Sequence, residues 1–269
     1  MKGWIAAGAA VGAGALALRK GLHTVPEPFA PFRGDVPELE HAPLPAGLPE
    51  PVARYFEVVC GQQIPLLSGA VFGGRMTMRI KGPALPGRWR FGHVVGTGYR
   101  HHMELSVFGR RIVTAQEWYL DGHARLDLPT GVVEGEPTVD RAANLSMWGE
   151  YLWLPSALLG GVWEPIDAVS ARLVVPQEQG PDSLVAWFDP QSGLLDRFEA
   201  LRWRDAGDPQ PIRWVTRVHA WTRIQGVGVP AVSSGQWGDQ AQPWLRLSLD
   251  DVVWNVDLDE YVRSDAAEV

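Results

Sequence analysis

The stretch from Thr138 to Val175, TVDRAANLSMWGEYLWLPSALLGGVWEPIDAVSARLVV, decides the fold, because it holds the one substantial helix between two long runs of strand. Pro137 suits the first helical turn, and Leu145, Trp148 and Leu152 recur at helical spacing. Pro155 ends or kinks the helix, Ser156 begins one further short turn, and Gly160-Gly161 stops it. From Trp163 the pattern becomes extended, so the helix hands directly into a strand carrying Ala171, Leu173 and Val175.

On the N-terminal side of this helix, from about Gly69, the apolar period is two. Met76, Met78 and Ile80 alternate with Arg75, Thr77, Arg79 and Lys81; Trp89, Phe91, His93 and Val95 continue the alternation; Met103, Leu105 and Val107 alternate with His102, Glu104 and Ser106; and Ile112 to Leu120 makes a further strand. Turn residues fall between these runs at Pro83 to Gly87, Gly96 to Gly98, Phe108-Gly109 and Asp121-Gly122, giving an antiparallel meander of about five strands that ends near Leu128. On the C-terminal side, Leu184 to Phe188 turns through Asp189-Pro190-Gln191-Ser192-Gly193 into Leu194 to Trp203. Ile212 to Ile224, Gln236-Trp237, Trp244 to Leu249 and Val252 to Val256 follow. Upstream, Pro49-Glu50-Pro51 opens a second helix with Val52, Tyr55, Phe56 and Val59 on one face and Gly61 as its stop. Arg54 reads as a surface charge and Tyr55 as a core ring. The expected architecture is α+β: a curved antiparallel sheet of roughly nine to eleven strands, a half-open β-barrel, wrapping a central helix.

The 269 residues are compatible with one domain, over residues 49–263, followed by a short tail at 264–269. A net charge of −7, with no Lys/Arg cluster interleaved with aromatics, argues against nucleic acid as a partner. The single cysteine, Cys60, excludes an internal disulfide and any Cys-rich metal site. Residues 1–20 contain an uncharged run from Gly3 to Leu18 between Lys2 and Arg19-Lys20. As a helix it spans ~24 Å against a hydrocarbon core of ~30 Å. It reads as a membrane anchor or as a secretory signal with Ala15-Leu16-Ala17 at the cleavage position; the basic residues that follow favour the anchor. The same run matches the spacing of a dinucleotide-binding turn at Gly12 to Ala17, but Ala and Gly precede it where β-branched residues are needed, and prolines follow. Residues 21–48 are proline-rich and read as a tether. The domain is therefore expected at a membrane, on its outer side, with the cytoplasmic orientation still open.

Three quoted segments carry a resemblance: Leu48-Pro49-Glu50-Pro51-Val52-Ala53-Arg54-Tyr55, Tyr151 to Leu159, and Trp163 to Ala171. On these the chain resembles an uncharacterised bacterial family, a domain of unknown function carried behind a hydrophobic N-terminus. The hairpin from Phe188-Asp189-Pro190 to Arg197-Phe198 and the turn Gly226-Val227-Gly228-Val229-Pro230 are similar to those of periplasmic lipoprotein carriers of the LolA and LolB type. That resemblance implies a half-barrel whose apolar cavity receives acyl chains. Unlike the outer-membrane receptors, this chain has no cysteine after its hydrophobic run.

No phosphate-binding loop, nucleophile elbow, zinc-protease motif or Cys/His nucleophile occurs, so catalysis would need a scattered site. Glu164, Asp167 and His219 are its candidate acid/base residues; as alternatives, the two acids cap backbone amides or pair with Arg172, and His219 is a satisfied strand histidine. His101 and His102 are adjacent on a strand and point to opposite faces, so they do not share a metal ion, and no metal or cofactor site is expected. His93 likewise reads as a satisfied histidine. Asp257, Asp259 and Glu260 read as a solvated tail. The 13 tryptophans are the unusual feature. Trp118, Trp148, Trp153, Trp163, Trp187, Trp203, Trp214 and Trp221, with Met76, Met78 and Met103, are expected on or facing the central helix, either as core or as the lining of an apolar pocket. The functional expectation is a non-enzymatic domain holding a lipid or other apolar molecule between sheet and helix, with an envelope enzyme or a protein-interaction scaffold as alternatives.

Overall fold

The computed structural model describes residues 19–32, 36–80, 82–177 and 180–264. A small ribbon, β1 (His41–Pro43) paired with β2 (Gln63–Pro65), brackets α1 (Glu50–Cys60). The i, i+3, i+4, i+7 face of α1 is the buried one, with Val52, Tyr55, Phe56 and Val59 inside. Gly61, at φ 81°, ends the helix by donating its N–H to the Glu57 carbonyl.

The chain then runs through β3 (Gly69–Arg79), β4 (Ala84–Val94), β5 (Gly98–Val107), β6 (Arg110–Leu120), β7 (His123–Leu128) and β8 (Gly131–Glu134). Helix α2 (Pro137–Glu150) follows. After it come β9 (Val162–Asp167), β10 (Ser170–Val175), β11 (Asp182–Phe188), β12 (Leu195–Arg202), β13 (Ile212–Ile224), β14 (Val227–Trp237), β15 (Leu245–Trp254) and α3 (Asp259–Arg263). All thirteen strands from β3 onward form one antiparallel sheet in the order β8-β7-β6-β5-β4-β3-β15-β14-β13-β12-β11-β10-β9. Two meanders therefore meet at the centre, where β3 pairs with β15 from Ala70↔Trp254 to Met78↔Leu245. Their outer edges, β8 and β9, are joined by α2, which returns across the concave face.

Almost every residue of α2 from Ala142 to Gly149 is buried, because the sheet curls round the helix on several sides. Polar pins fix it: Ala124 N donates to Asp140 Oδ1, Asn144 Nδ2 donates to the Pro176 carbonyl, Arg141 pairs with Asp182, and Arg202 Nε donates to the Ala142 carbonyl. Regular helix stops at Glu150, and two 3₁₀ turns follow, Tyr151–Trp153 and Pro155–Gly160. Pro155 has no N–H to donate to the Tyr151 carbonyl, and Leu154, the residue before it, takes φ −129°, ψ 60°. Two indoles tie these turns to the sheet: Trp153 Nε1 donates to the Pro230 carbonyl and Trp254 Nε1 to the Trp153 carbonyl, each at 3.0 Å.

Several expectations need correction. The sheet has thirteen strands, not nine to eleven, because the short edge strand β8 carries no alternation of its own and the run read as one strand after Trp163 is the hairpin β9–β10. Residues 21–48 are not a free tether over their described length. Phe29 is buried on the convex face, with the Arg88 guanidinium 4.0 Å over its ring and the edge of His102 at 5.5 Å, and Arg90 hydrogen-bonds the Ala30 carbonyl. Asp257, Asp259 and Glu260 are solvated as expected, but the last two sit on α3, which buries Tyr261 and Val262. Arg54 is no idle surface charge: it donates to the Pro190 and Gln191 carbonyls at 2.8 and 2.7 Å and clamps the β11–β12 hairpin against α1. The hydrophobic run of the expected anchor lies outside the described residues; among those described, no helix is long and apolar enough to cross a membrane.

Candidate functional site

Strand parity sends Trp89, Phe91 and His93 of β4, and Tyr99, His101, Met103 and Leu105 of β5, to the concave face. The β4–β5 register sets Phe91 opposite His101 and His93 opposite Tyr99, and β6 adds Glu117 opposite His101. The last residue of α2, Glu150, reaches down onto this patch. His101 Nε2 lies 2.8 Å from Glu150 Oε2 and hydrogen-bonds it; His93 Nε2 lies 3.0 Å from the same oxygen, off the axis a ring N–H would need. His101 Nδ1 is 3.9 Å from Glu117 Oε2, and Glu117 also accepts a hydrogen bond from Tyr99 Oη. The His101 ring is sandwiched between Phe91 at 3.6 Å and Tyr99 at 4.0 Å, and His93 stacks between Phe72 and Tyr99.

Burial governs the ionisation of this patch. His93 is fully enclosed, and burial pushes it below the usual imidazole range despite Glu150, so it is neutral. Burial also acts against charge on His101, but Glu150 and Glu117 outweigh it and raise the imidazole to about 9. Burial works to raise the Glu150 carboxyl, and the two histidines more than reverse that, holding it at about 2. The result is a largely buried carboxylate shared between one charged and one neutral imidazole.

The space beside this patch is small. A cavity of about 70 Å³ touches His101, Glu117, Glu150, Met103, Trp153 and Trp214, room for only a few waters. A pocket for a small organic ligand runs to about 300–1,000 Å³, so the region beneath α2 is filled by side chains, not open to an apolar guest. Larger clefts flank the helix. One of about 230 Å³ lies between α2, β7–β8 and the segment after β12, walled by Leu126, Leu128, Val133 and Val139 and reaching Glu117 and Arg202. A second, about 500 Å³, is lined by charged groups that include Arg141, Arg172, Asp182, Glu199 and Arg213, and a third, also about 500 Å³, opens at the mouth of the half-barrel. The walls of this mouth cleft are Met147 and Trp148 from the helix, Tyr151 from the turn after it, Val95 to Thr97 from the β4–β5 turn, Tyr119, Asp121 and Gly122 from the β6–β7 turn, and Ala157 and Pro176. Among the described residues the buried Trp148 Nε1 has no hydrogen-bond partner.

The residues expected at a pocket separate into four groups. Trp148 lines the mouth cleft, while Met103, Trp153 and Trp214 border the small inner cavity. Met76 and Met78 are core; Trp163 is anchored by Nε1 to the Leu158 carbonyl; Trp221 packs beside Tyr55 under α1. Trp203 lies at the sheet rim under Arg141 and borders the 230 Å³ cleft. Trp118 and Trp187 do not face the helix at all. They occupy the opposite parity on β6 and β11 and sit on the convex face beneath Arg100 and Arg197.

The three acid/base candidates are dispersed on the outer surface. Glu164 is half exposed and pairs with Arg172 at 3.6 Å. Asp167 accepts hydrogen bonds from Val169 N and Ser170 Oγ, both 2.9 Å, which form the β9–β10 turn and hold its carboxyl below the usual range. His219 is exposed and bonds Ser234 Oγ at 2.8 Å; partial burial, with Arg246 and Arg217 nearby, lowers its pKa. These are the capping, pairing and satisfied-histidine roles anticipated as alternatives. The cluster of His93, His101 and Glu150 was not assembled from sequence. Alternation already marked His93 and, by parity with Met103, His101 as inward, but nothing local shows that the end of α2 meets them.

No curated protein matches the chain. Among solved structures, a DUF1329 family protein from Desulfovibrio piger matches 80% of this chain and 95% of its own, at 11% identity and a TM-score of 0.46. A LolA superfamily protein from Nitrosomonas europaea matches 82% of this chain and 99% of its own, at 11% identity and a TM-score of 0.49. Residues 38–247 match the model of a family of unknown function, DUF6544, a span that runs from the ribbon through both meanders, and the chain belongs to that family.

Proposed function

We propose that this chain is a binding protein for an apolar molecule such as a lipid acyl chain, and that the site is the mouth cleft beside Trp148. The observation that carries the reading is the cleft itself: about 500 Å³, walled by Met147, Trp148, Tyr151, Tyr119 and Val95, with a few polar groups at its rim. Volume, aromatic walls and sparse polar contacts are the features of small-molecule sites. Trp148 and Tyr151 meet edge to face at 5.1 Å and present a fixed apolar wall. The hydrophobic run of residues 3–18 would hold this cleft near a bilayer from which such a ligand is drawn.

The test is a titration of the full chain with a fluorescent polyene fatty acid, read by energy transfer from tryptophan and checked by native mass spectrometry. One equivalent should bind and be displaced by unlabelled fatty acid, and Trp148→Ala should weaken binding by about tenfold or more. Absence of saturable binding, or binding indifferent to both Trp148→Ala and Tyr151→Ala, would rule the site out.

A further inference from the structure

We infer that His93, His101 and Glu150 form a binding site for a divalent transition-metal ion of the zinc type, none of the three lining the mouth cleft. The three side chains offer two imidazole nitrogens and one carboxylate oxygen, all within 4.8 Å of one another, the donor set of a three-protein-ligand zinc centre; the ion takes the place of the proton between His101 and Glu150, which is released to solvent. Ligands held at about 2.0–2.1 Å around a tetrahedral ion stand roughly 3.3 Å apart. Here Glu150 Oε2 is 2.8 Å from His101 Nε2 and 3.0 Å from His93 Nε2, so small side-chain shifts admit the ion.

His93 supplies the independent observation. Its ring is completely buried, and among the described residues neither nitrogen makes a hydrogen bond. Buried polar atoms are rarely left so, and each such case calls for an explanation. The Glu150 oxygen lies beside the lone-pair axis of Nε2 and not on it, which is poor for a hydrogen bond and is the placement a shared cation requires. Around the three donors the supporting groups of a metal centre are present. Glu117, itself held by Tyr99, stands 3.9 Å behind the far nitrogen of His101, the place of the carboxylate that backs a metal-bound imidazole. Phe91, Phe72 and Tyr99 hold both rings rigid. His101 and Glu150 border the cavity of about 70 Å³, where a water or an oxygen donor fits as a fourth ligand.

The experiment is titration of the full chain, stripped with a chelator, using Co²⁺ read by its visible absorption and Zn²⁺ as competitor. One equivalent of Co²⁺ should bind and be displaced by Zn²⁺; His93→Gln should weaken this by about 100-fold or more, and His102→Gln, next in sequence but on the opposite face, should leave it unchanged. Should His93→Gln not fold, X-ray absorption at the zinc edge of the wild-type complex decides: two imidazoles and one carboxylate support the site. No saturable binding, binding that survives in folded His93→Gln, loss of binding in His102→Gln, or a zinc shell lacking two imidazoles would each overturn it.

Discussion

His101 and His102 are neighbours on β5, and the two faces they point to handle buried charge differently. On the convex face, Glu104 receives Arg88 Nε at 2.8 Å, Arg111 Nη1 at 3.1 Å and His102 Nε2 at 3.4 Å, under the strap that Phe29 lays across the strands. On the concave face, Glu150 receives two imidazoles and, among the described residues, no guanidinium, and one of those imidazoles is not hydrogen-bonded. The convex arrangement gives one acid three donors, two of them guanidinium groups, which is what a structural ion-pair network looks like. The concave arrangement is short of donors and adjacent to a cavity, which is what a site looks like. The difference teaches that burial of charge alone does not separate the two faces; the number of donors around each acid does.

That contrast can be broken at several points. The largest effect is expected from Glu150→Gln, which leaves His101 without its main counter-charge in the interior; in chelator, denaturant unfolding should show a loss of about 3–5 kcal/mol. A loss below about 1 kcal/mol would mean that the concave cluster is not a buried ion pair. Phe29→Ala tests whether the proline-rich strap belongs to the fold: about 1.5–3 kcal/mol should be lost, the cost of exposing one buried phenylalanine, and amide exchange should rise at Arg88 and Arg90. An unchanged stability would return residues 21–32 to the role of a tether. The smallest effect belongs to Glu104→Gln, about 1–2 kcal/mol, because Arg88 and Arg111 keep contact with water when their acid is removed.

The same acid predicts a pH dependence with a definite sign. Burial works to raise the Glu104 carboxyl, but hydrogen bonds from Arg88 and Arg111 prevail and hold it below its ordinary value. Its contribution is therefore fully present above the unfolded carboxylate pKa of about 4.3 and is lost as pH falls through that value toward the lower folded one. Unfolding free energies measured between pH 6 and pH 3, where about 4.3 is the unfolded midpoint, should fall less steeply in Glu104→Gln than in wild type; parallel slopes would show that the convex network is solvated.

Much of the fold was legible in the residues because period-two alternation, Gly and Asp-Gly turns and a single helix bounded by prolines are local signals. β8 and the β9–β10 hairpin were not: β8 spans only Gly131–Glu134, and the turn at Asp167 is built by a side chain capping Val169 and Ser170, with no Gly or Pro to announce it. Tryptophan excess indicated an aromatic interior but not which face each indole takes, since one residue of strand parity reverses it, as it does for Trp118 and Trp187. The cluster at Glu150 depends on where α2 ends against β4 and β5, a long-range fact that no spacing encodes. Its inward histidines could be read; its carboxylate could not.

The claim that the concave face holds an incompletely paired, ligand-ready cluster is tested most directly by a crystal of the full chain grown with Zn²⁺ and measured on both sides of the zinc absorption edge. The account predicts one anomalous peak about 2.0–2.2 Å from His93 Nε2, His101 Nε2 and a Glu150 oxygen. A map with no peak there, and Glu150 still hydrogen-bonded to His101, would contradict it.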